Sequence, residues 1–305
     1  IHFFDVTSLN CLRTLPSLRR WKDVYAADGF TLIGVHAPEF AFAREPALVA
    51  SSLKRLGIDW PVVSDPDFTL ARRFSSRFWP STFLVDARGN LRFYHVGEGR
   101  YPETEEMIQR LLSELRPDPS AHFRPVGRSD SDEFVEENVT PELYLGSMRG
   151  PWTGPEFVID EEHQFLPRSE TREGIPALGG PWTLREPFLE SAGTESLPAR
   201  FFLRYRAHEL WLVAEPPPDA SAELAVRIDG RVPTDPERGD DVGSSGSVRV
   251  DEGRLYQLLV HRELKSRRLE LMAAVSGIRL YTLAFSTKGA SESALPGGTH
   301  APGTA

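Results

Sequence analysis

The 305-residue chain is 40% hydrophobic and 26% charged, which supplies two cores and exceeds the length of one small domain. Thirty-five basic against 44 acidic residues leave a net charge of −9. That balance excludes a general nucleic-acid binder, which needs clustered positive charge. No stretch reaches the roughly 18 apolar residues of a membrane span, and no signal-peptide pattern is present. The single cysteine, Cys11, excludes an internal disulfide and a cysteine-rich zinc site.

In chain order, "IHFFDV" (1–6) reads as a buried strand. "TLPSLRRWKDVYAA" places Leu15, Leu18, Trp21, Val24 and Tyr25 at helical spacing. "GFTLIGVHA" is a second strand, of the continuous apolar kind found in parallel sheets. "EPALVASSLKRLGI" follows as a helix with Leu48, Leu53 and Leu56 inward. "TFLVD" and "LRFYHVGEG" form a hairpin whose turn residue is Gly89. "YPETEEMIQRLLSEL" closes the block as a helix, with Pro102 and acidic residues in its first turn. Strand, helix, strand, helix, hairpin, helix is an α/β layer pattern.

Residues 1–117 are therefore expected to form the α/β domain, and the Pro-, Ser- and charge-rich stretch over 118–138 a linker. Residues 139–287 lack a convincing amphipathic helix and carry short strand-like runs separated by turn residues, which predicts an all-β sandwich. Leu224, Val226 and Ile228 mark one inward face, and Tyr281, Leu283 and Phe285 a less clean one. Lys265, Arg267 and Arg268 are expected at a solvated strand end. Residues 288–305 have the composition of a disordered tail. Because the chain opens with Ile1 inside an apolar run, it reads as a fragment or a processed form.

The first block resembles the thioredoxin-fold domain of TlpA-like thiol-disulfide proteins. An apolar strand runs into "SLNC", with Cys11 at the second-cysteine position of a C-x-x-C motif and Pro16 five residues on. "FWPSTFLVDARGN" puts Pro80 at that family's cis-proline position, and "GVHAPEF" is similar to its central insertion, where a glutamate, here Glu39, can approach the active site. Together with "TPELYLG" opening the β-rich segment, the order of motifs resembles the soluble C-terminal region of DipZ-type proteins. The resemblance implies a thioredoxin-like fold truncated at its N-terminal part, followed by a jelly roll similar to carbohydrate-binding modules. It implies a periplasmic or extracytoplasmic location, a protein or peptide thiol/disulfide partner, and a membrane tether upstream of Ile1 as an option. A glycan at the β-domain is the alternative partner. No cofactor or metal is implied.

The departure is Ser8, which stands where the family has its attacking cysteine. A helix N-terminus activates a thiol by favouring its thiolate, but a serine hydroxyl is too weak an acid for a dipole alone to ionise. It needs an adjacent base, and no Ser/His/Asp constellation is evident. His2, on the preceding strand, reads as a packed residue. The site residues are then Cys11, Ser8 as the position of the lost attacker, Pro80 and Glu39. They predict a degenerate S-x-x-C site limited to single-thiol chemistry or to binding.

Two alternatives stand beside this reading. Ser8-Leu9-Asn10-Cys11 also has the S-x-x-C spacing of a peroxiredoxin-like peroxidase using Cys11, although Phe4 occupies the position where that motif wants proline. The other is a carbohydrate-binding module on an inert scaffold, with Trp152, Trp182, Tyr205, Trp211, Tyr256 and Tyr281 as candidate platform aromatics, most of them expected in the core. His163, His208 and His261 lack metal-ligand spacing.

Overall fold

A computed structural model describes residues 1–115, 138–153, 157–166 and 172–287. The linker expected over 118–138, apart from Asn138, and the tail expected over 288–305 lie outside the described residues. The chain divides into two compact units, the first of which contains residues 1–115 and the second residues 138–287.

The first unit runs β1 (His2–Phe4), α1 (Leu9–Tyr25), β2 (Gly34–His36), α2 (Pro46–Arg55), β3 (Val62–Ser64), α3 (Thr69–Arg73), β4 (Ser81–Val85), β5 (Leu91–Val96) and α4 (Tyr101–Ser113). Its sheet has the order β3-β2-β1-β4-β5. The β1–β2 and β2–β3 pairs are parallel, and β1–β4 and β4–β5 antiparallel. This is a thioredoxin-like α/β fold. Because β1 is central, its side chains are covered on both faces. Phe3 packs against Phe74 and Phe83, with centroids 5.4 and 5.5 Å away, and Phe4 stands edge-on to His36. Gly34 fits here because a Cβ would come within 2.9 Å of the Phe4 ring and 3.1 Å of Val62. Helix α1 buries Leu15, Leu18, Trp21 and Tyr25 as their spacing predicts, and Leu12 with them. Val24 departs: it is 49% exposed, because at 100° per residue it falls off the stripe that these residues share. Two elements escaped the periodicity argument: β3, a three-residue edge strand, and α3, a five-residue helix, are too short to carry a pattern.

The second unit is built from antiparallel strands: β6 (Leu143–Tyr144), β7 (Glu162–Phe165), β8 (Ala177–Leu184), β9 (Leu189–Ala192), β10 (Ala199–Arg206), β11 (Glu209–Glu215), β12 (Ala222–Ile228), β13 (Ser247–Val250), β14 (Arg254–Val260), β15 (Ser266–Ala273) and β16 (Ser276–Ser286). The path is β13-β12-β15-β10-β8-β9-β16-β11-β14, with β6 on β16 and β7 on β8. Strand β8 belongs to two sheets: Ala177–Gly179 pair with β10, and Trp182–Leu184 pair with β9. The turn between these halves falls at Gly180, whose φ is 74° and whose Cβ would lie 2.3 Å from the Pro198 carbonyl oxygen. Side chains of both sheets, among them Leu203, Leu224, Leu212 and Leu283, meet in one core, which makes the unit a β-sandwich.

Leu224, Val226 and Ile228 are all fully buried. The β16 alternation is unclean for a physical reason: Leu280, Thr282 and Ala284 are buried together with Tyr281, Leu283 and Phe285, so both faces of that strand are covered. Arg267 differs from the expected solvated strand end. It is 8% exposed, because β15 alternates and turns Arg267, Leu269 and Leu271 inward.

Candidate functional site

The ends of three strands converge on the segment that holds Ser8 and Cys11. Parallel β1 and β2 bring Asp5 and Glu39 beyond the same edge of the sheet, and antiparallel β4 starts at that edge, with Ser81 opposite Phe3. The strand ends place Ser8, Cys11, Glu39 and Pro80 at one end of the unit.

Ser8 is the N-cap of α1, in extended backbone geometry and half-buried. Its carbonyl accepts the N–H groups of Cys11 at 3.0 Å and Leu12 at 3.1 Å. Its hydroxyl makes no capping bond to the helix backbone and instead hydrogen-bonds the Cys11 side chain. Cys11, on the inward face of the first turn, has no exposed surface. The Asp5 backbone N–H points at its sulfur, 3.4 Å away.

Burial pushes the Cys11 thiol far above the ordinary range, and the negative charges of Asp5 and Glu98 add to the effect. The Asp5 N–H and the Ser8 hydroxyl oppose it without reversing it. The chemical outcome is a neutral thiol at physiological pH, sheltered behind a hydroxyl.

Asp5 organises the surroundings. Its carboxylate, fully buried, accepts the Thr7 N–H at 2.9 Å on Oδ1 and the Glu39 N–H at 2.6 Å on Oδ2. His36 Nε2 stands 3.5 Å from Asp5 Oδ1, and both side chains are inaccessible. Neither His36 ring nitrogen, nor the Thr7 hydroxyl, has a hydrogen-bond partner among the described residues. Glu39 is half-buried and joins this cluster through its backbone.

Pro80 is buried and follows a cis peptide bond from Trp79. Its carbonyl accepts the Gly97 N–H at 2.7 Å. The next residue, Glu98, forms an ion pair with Arg13 of α1 at 3.1 Å. Trp79 packs on Phe68, the rings stacked 6.0 Å apart. His2 is a packed residue, 2% exposed, with Nδ1 3.0 Å from the Thr82 hydroxyl and Nε2 3.2 Å from that of Thr14. Burial, and then the nearby amino terminus, lower its pKa to about 3, so it is neutral.

The motif order singles out Ser8, Cys11, Glu39 and Pro80; Asp5, His36, Arg13 and Glu98, which the fold places around them, are not singled out. The only signal for Asp5 was an acid closing an otherwise apolar strand, "HFFDV".

In the second unit the candidate aromatics sort by burial. Trp182, Tyr205, Trp211, Tyr256 and Tyr281 are core residues at 5% exposure or less. Trp152 is half-buried and lines a groove of about 510 Å³ with Phe157, His163 and Phe165. Trp152 and Phe157 are 5.2 Å apart, and Phe157 and Phe165 stack at 5.3 Å.

Residues 140–286 match the family described as thioredoxin-like C-terminal domain. The chain is similar to Protein DipZ of Mycobacterium tuberculosis, 30% identical over 241 residues that cover 78% of this chain and 33% of that protein. It is 36% identical to NHL repeat-containing protein 2 of Gallus gallus over 184 residues, 59% of this chain and 25% of that one. Thiol-disulfide oxidoreductase YkuV of Bacillus subtilis is 25% identical over 114 residues, 37% of this chain and 76% of the relative. The chain thus spans about a third of the DipZ proteins it matches.

Proposed function

We propose that this chain, a thioredoxin-like protein of the TlpA/DipZ type, binds protein or peptide partners at the end of its first unit that carries Ser8, Cys11, Glu39 and Pro80, with its chemistry limited to one thiol. The observation that carries this reading is the pairing of a serine at the activated N-cap with a cysteine that has no exposed surface. Within these residues no second sulfur can close a disulfide, so a dithiol cycle has no second half. The step left is exchange with a partner disulfide after local opening. The Cys11 thiolate attacks one sulfur, the partner's S–S bond breaks as a mixed disulfide forms, and the departing thiolate takes up a proton.

By the same resemblance the protein works outside the cytoplasm. The peroxidase alternative is not favoured. It needs a thiolate beside a cation, whereas burial and two carboxylates hold this thiol protonated and Arg13 pairs with Glu98.

A second reading concerns the β-sandwich. The half-buried Trp152, beside Phe157, His163 and Phe165, favours a glycan in that groove, because sugar faces stack on accessible aromatic rings.

The test of the first reading is a disulfide-reduction assay with a dithiol regenerant. The native chain gives no turnover, and Ser8→Cys gives measurable turnover. A native chain that turns over at the rate of an intact C-x-x-C protein overturns the reading.

A further inference from the structure

The carboxylate of Asp5 reaches both loops that flank the sulfur. Oδ1 holds the Thr7 N–H, one residue before Ser8, and Oδ2 holds the Glu39 N–H, 34 residues away in sequence. The Asp5 backbone N–H meanwhile donates to Cys11 Sγ. One residue therefore ties the β1–α1 segment, the segment after β2 and the thiol together. Beside it stands His36, fully buried, its Nε2 3.5 Å from Asp5 Oδ1, with both ring nitrogens lacking a hydrogen-bond partner among the described residues. A buried carboxylate that accepts two backbone N–H groups makes charge-assisted bonds, the stronger class. A buried imidazole without a hydrogen bond is retained at a cost that favours a role.

We propose that Asp5 is the positioning residue of the Cys11 site: its carboxylate latches the Glu39 segment against the Ser8 segment, and Cys11 becomes reactive only when the Asp5–Glu39 contact opens. A partner that pulls the Glu39 segment away removes one of the two backbone N–H groups from the carboxylate. The same movement loosens the Asp5 backbone that touches the sulfur. Docking at Glu39 and exposure of Cys11 are thereby one event. The proposal rests on the reading of Cys11 as a single sheltered thiol.

The test is the rate of iodoacetamide labelling of Cys11 in the 305-residue chain, measured across urea concentrations below the unfolding transition. Asp5→Asn keeps the side-chain shape but turns an amide N–H or a weaker acceptor toward the Glu39 N–H. Glu39→Pro removes the same hydrogen bond from its donor side. Leu112→Ala, a core substitution in α4, is the control for general loosening. Both latch variants label at least about tenfold faster than the native chain, with little urea dependence, because only a local contact has been lost. Leu112→Ala labels through global unfolding, with steep urea dependence. Folded Asp5→Asn or Glu39→Pro labelling at the native rate overturns the latch, as does acceleration with the urea dependence of Leu112→Ala. A native chain that labels as fast as a free thiol instead overturns the sheltered-thiol reading itself.

Discussion

The Thr14 hydroxyl sits between the His2 ring, 3.2 Å from Nε2, and the Cys11 carbonyl, to which it donates at 2.7 Å. The strand that precedes the thiol segment is thus pinned to the first turns of α1 by side chains, and His2 serves that joint as a neutral group. A buried histidine whose pKa falls from 6.5 to about 3 binds fewer protons folded than unfolded across that interval. Stability then rises with pH through the window and is fully present above about pH 6.5. Below it, stability is lost toward pH 3 with a slope approaching about 1.4 kcal/mol per unit. Urea unfolding of the first unit, followed by hydrogen exchange of β1 and α1 peptides between these limits, checks this. His2→Asn flattens the slope.

A second titration is expected in the β-sandwich. The Tyr205 hydroxyl and His261 Nε2 are 2.7 Å apart, and burial, with Arg267 adding to it, lowers the His261 pKa to about 4. The sign is the same as for His2: protection of β10 and β15 amides falls as pH drops from about 6.5 toward 4. His261→Gln removes that dependence while leaving the first unit's pH profile unchanged.

The bend in β8 depends on a missing side chain. Gly180→Ala combines a positive φ with a Cβ driven against the Pro198 carbonyl oxygen, so it destabilises the second unit by more than about 1 kcal/mol. A thermal melt reads this directly; an unchanged melting temperature refutes the account of the bend.

Two tryptophans in the same unit are expected to part company. Trp182, 1% exposed, donates its indole N–H to the Gly179 and Arg200 carbonyls, so Trp182→Ala costs about 3–5 kcal/mol. Trp152 is only half-buried: it packs on the rim of the core, donates its indole N–H to the Leu145 carbonyl at 2.9 Å and lines the groove. Trp152→Ala therefore costs less stability than Trp182→Ala and abolishes any signal on a glycan array. A glycan signal that survives in Trp152→Ala removes the groove from the glycan reading.

How much was legible in the sequence depended on the range of the interaction. Strand and helix order in the first unit followed from apolar runs and from the spacing of Leu15, Leu18 and Trp21, which are local patterns. Ser8, Cys11, Glu39 and Pro80 came from motif order. Asp5 and His36 carry no pattern: their roles arise when β1 and β2 pair and bring residues more than thirty positions apart into contact. Composition likewise treated Trp152 and Trp182 alike, since residue type does not tell an aromatic in a loop, such as Trp152, from one in a strand whose face a neighbouring sheet covers, such as Trp182.

The central claim is that Cys11 is a neutral, sheltered thiol behind a serine at the activated position. A pH titration of the Cys11 Cβ carbon by NMR, in a chain labelled with ¹³C at cysteine, tests it most directly. The account predicts a thiol signal that stays constant through about pH 9, above the ordinary cysteine range. A thiolate signal already present near neutral pH would contradict it.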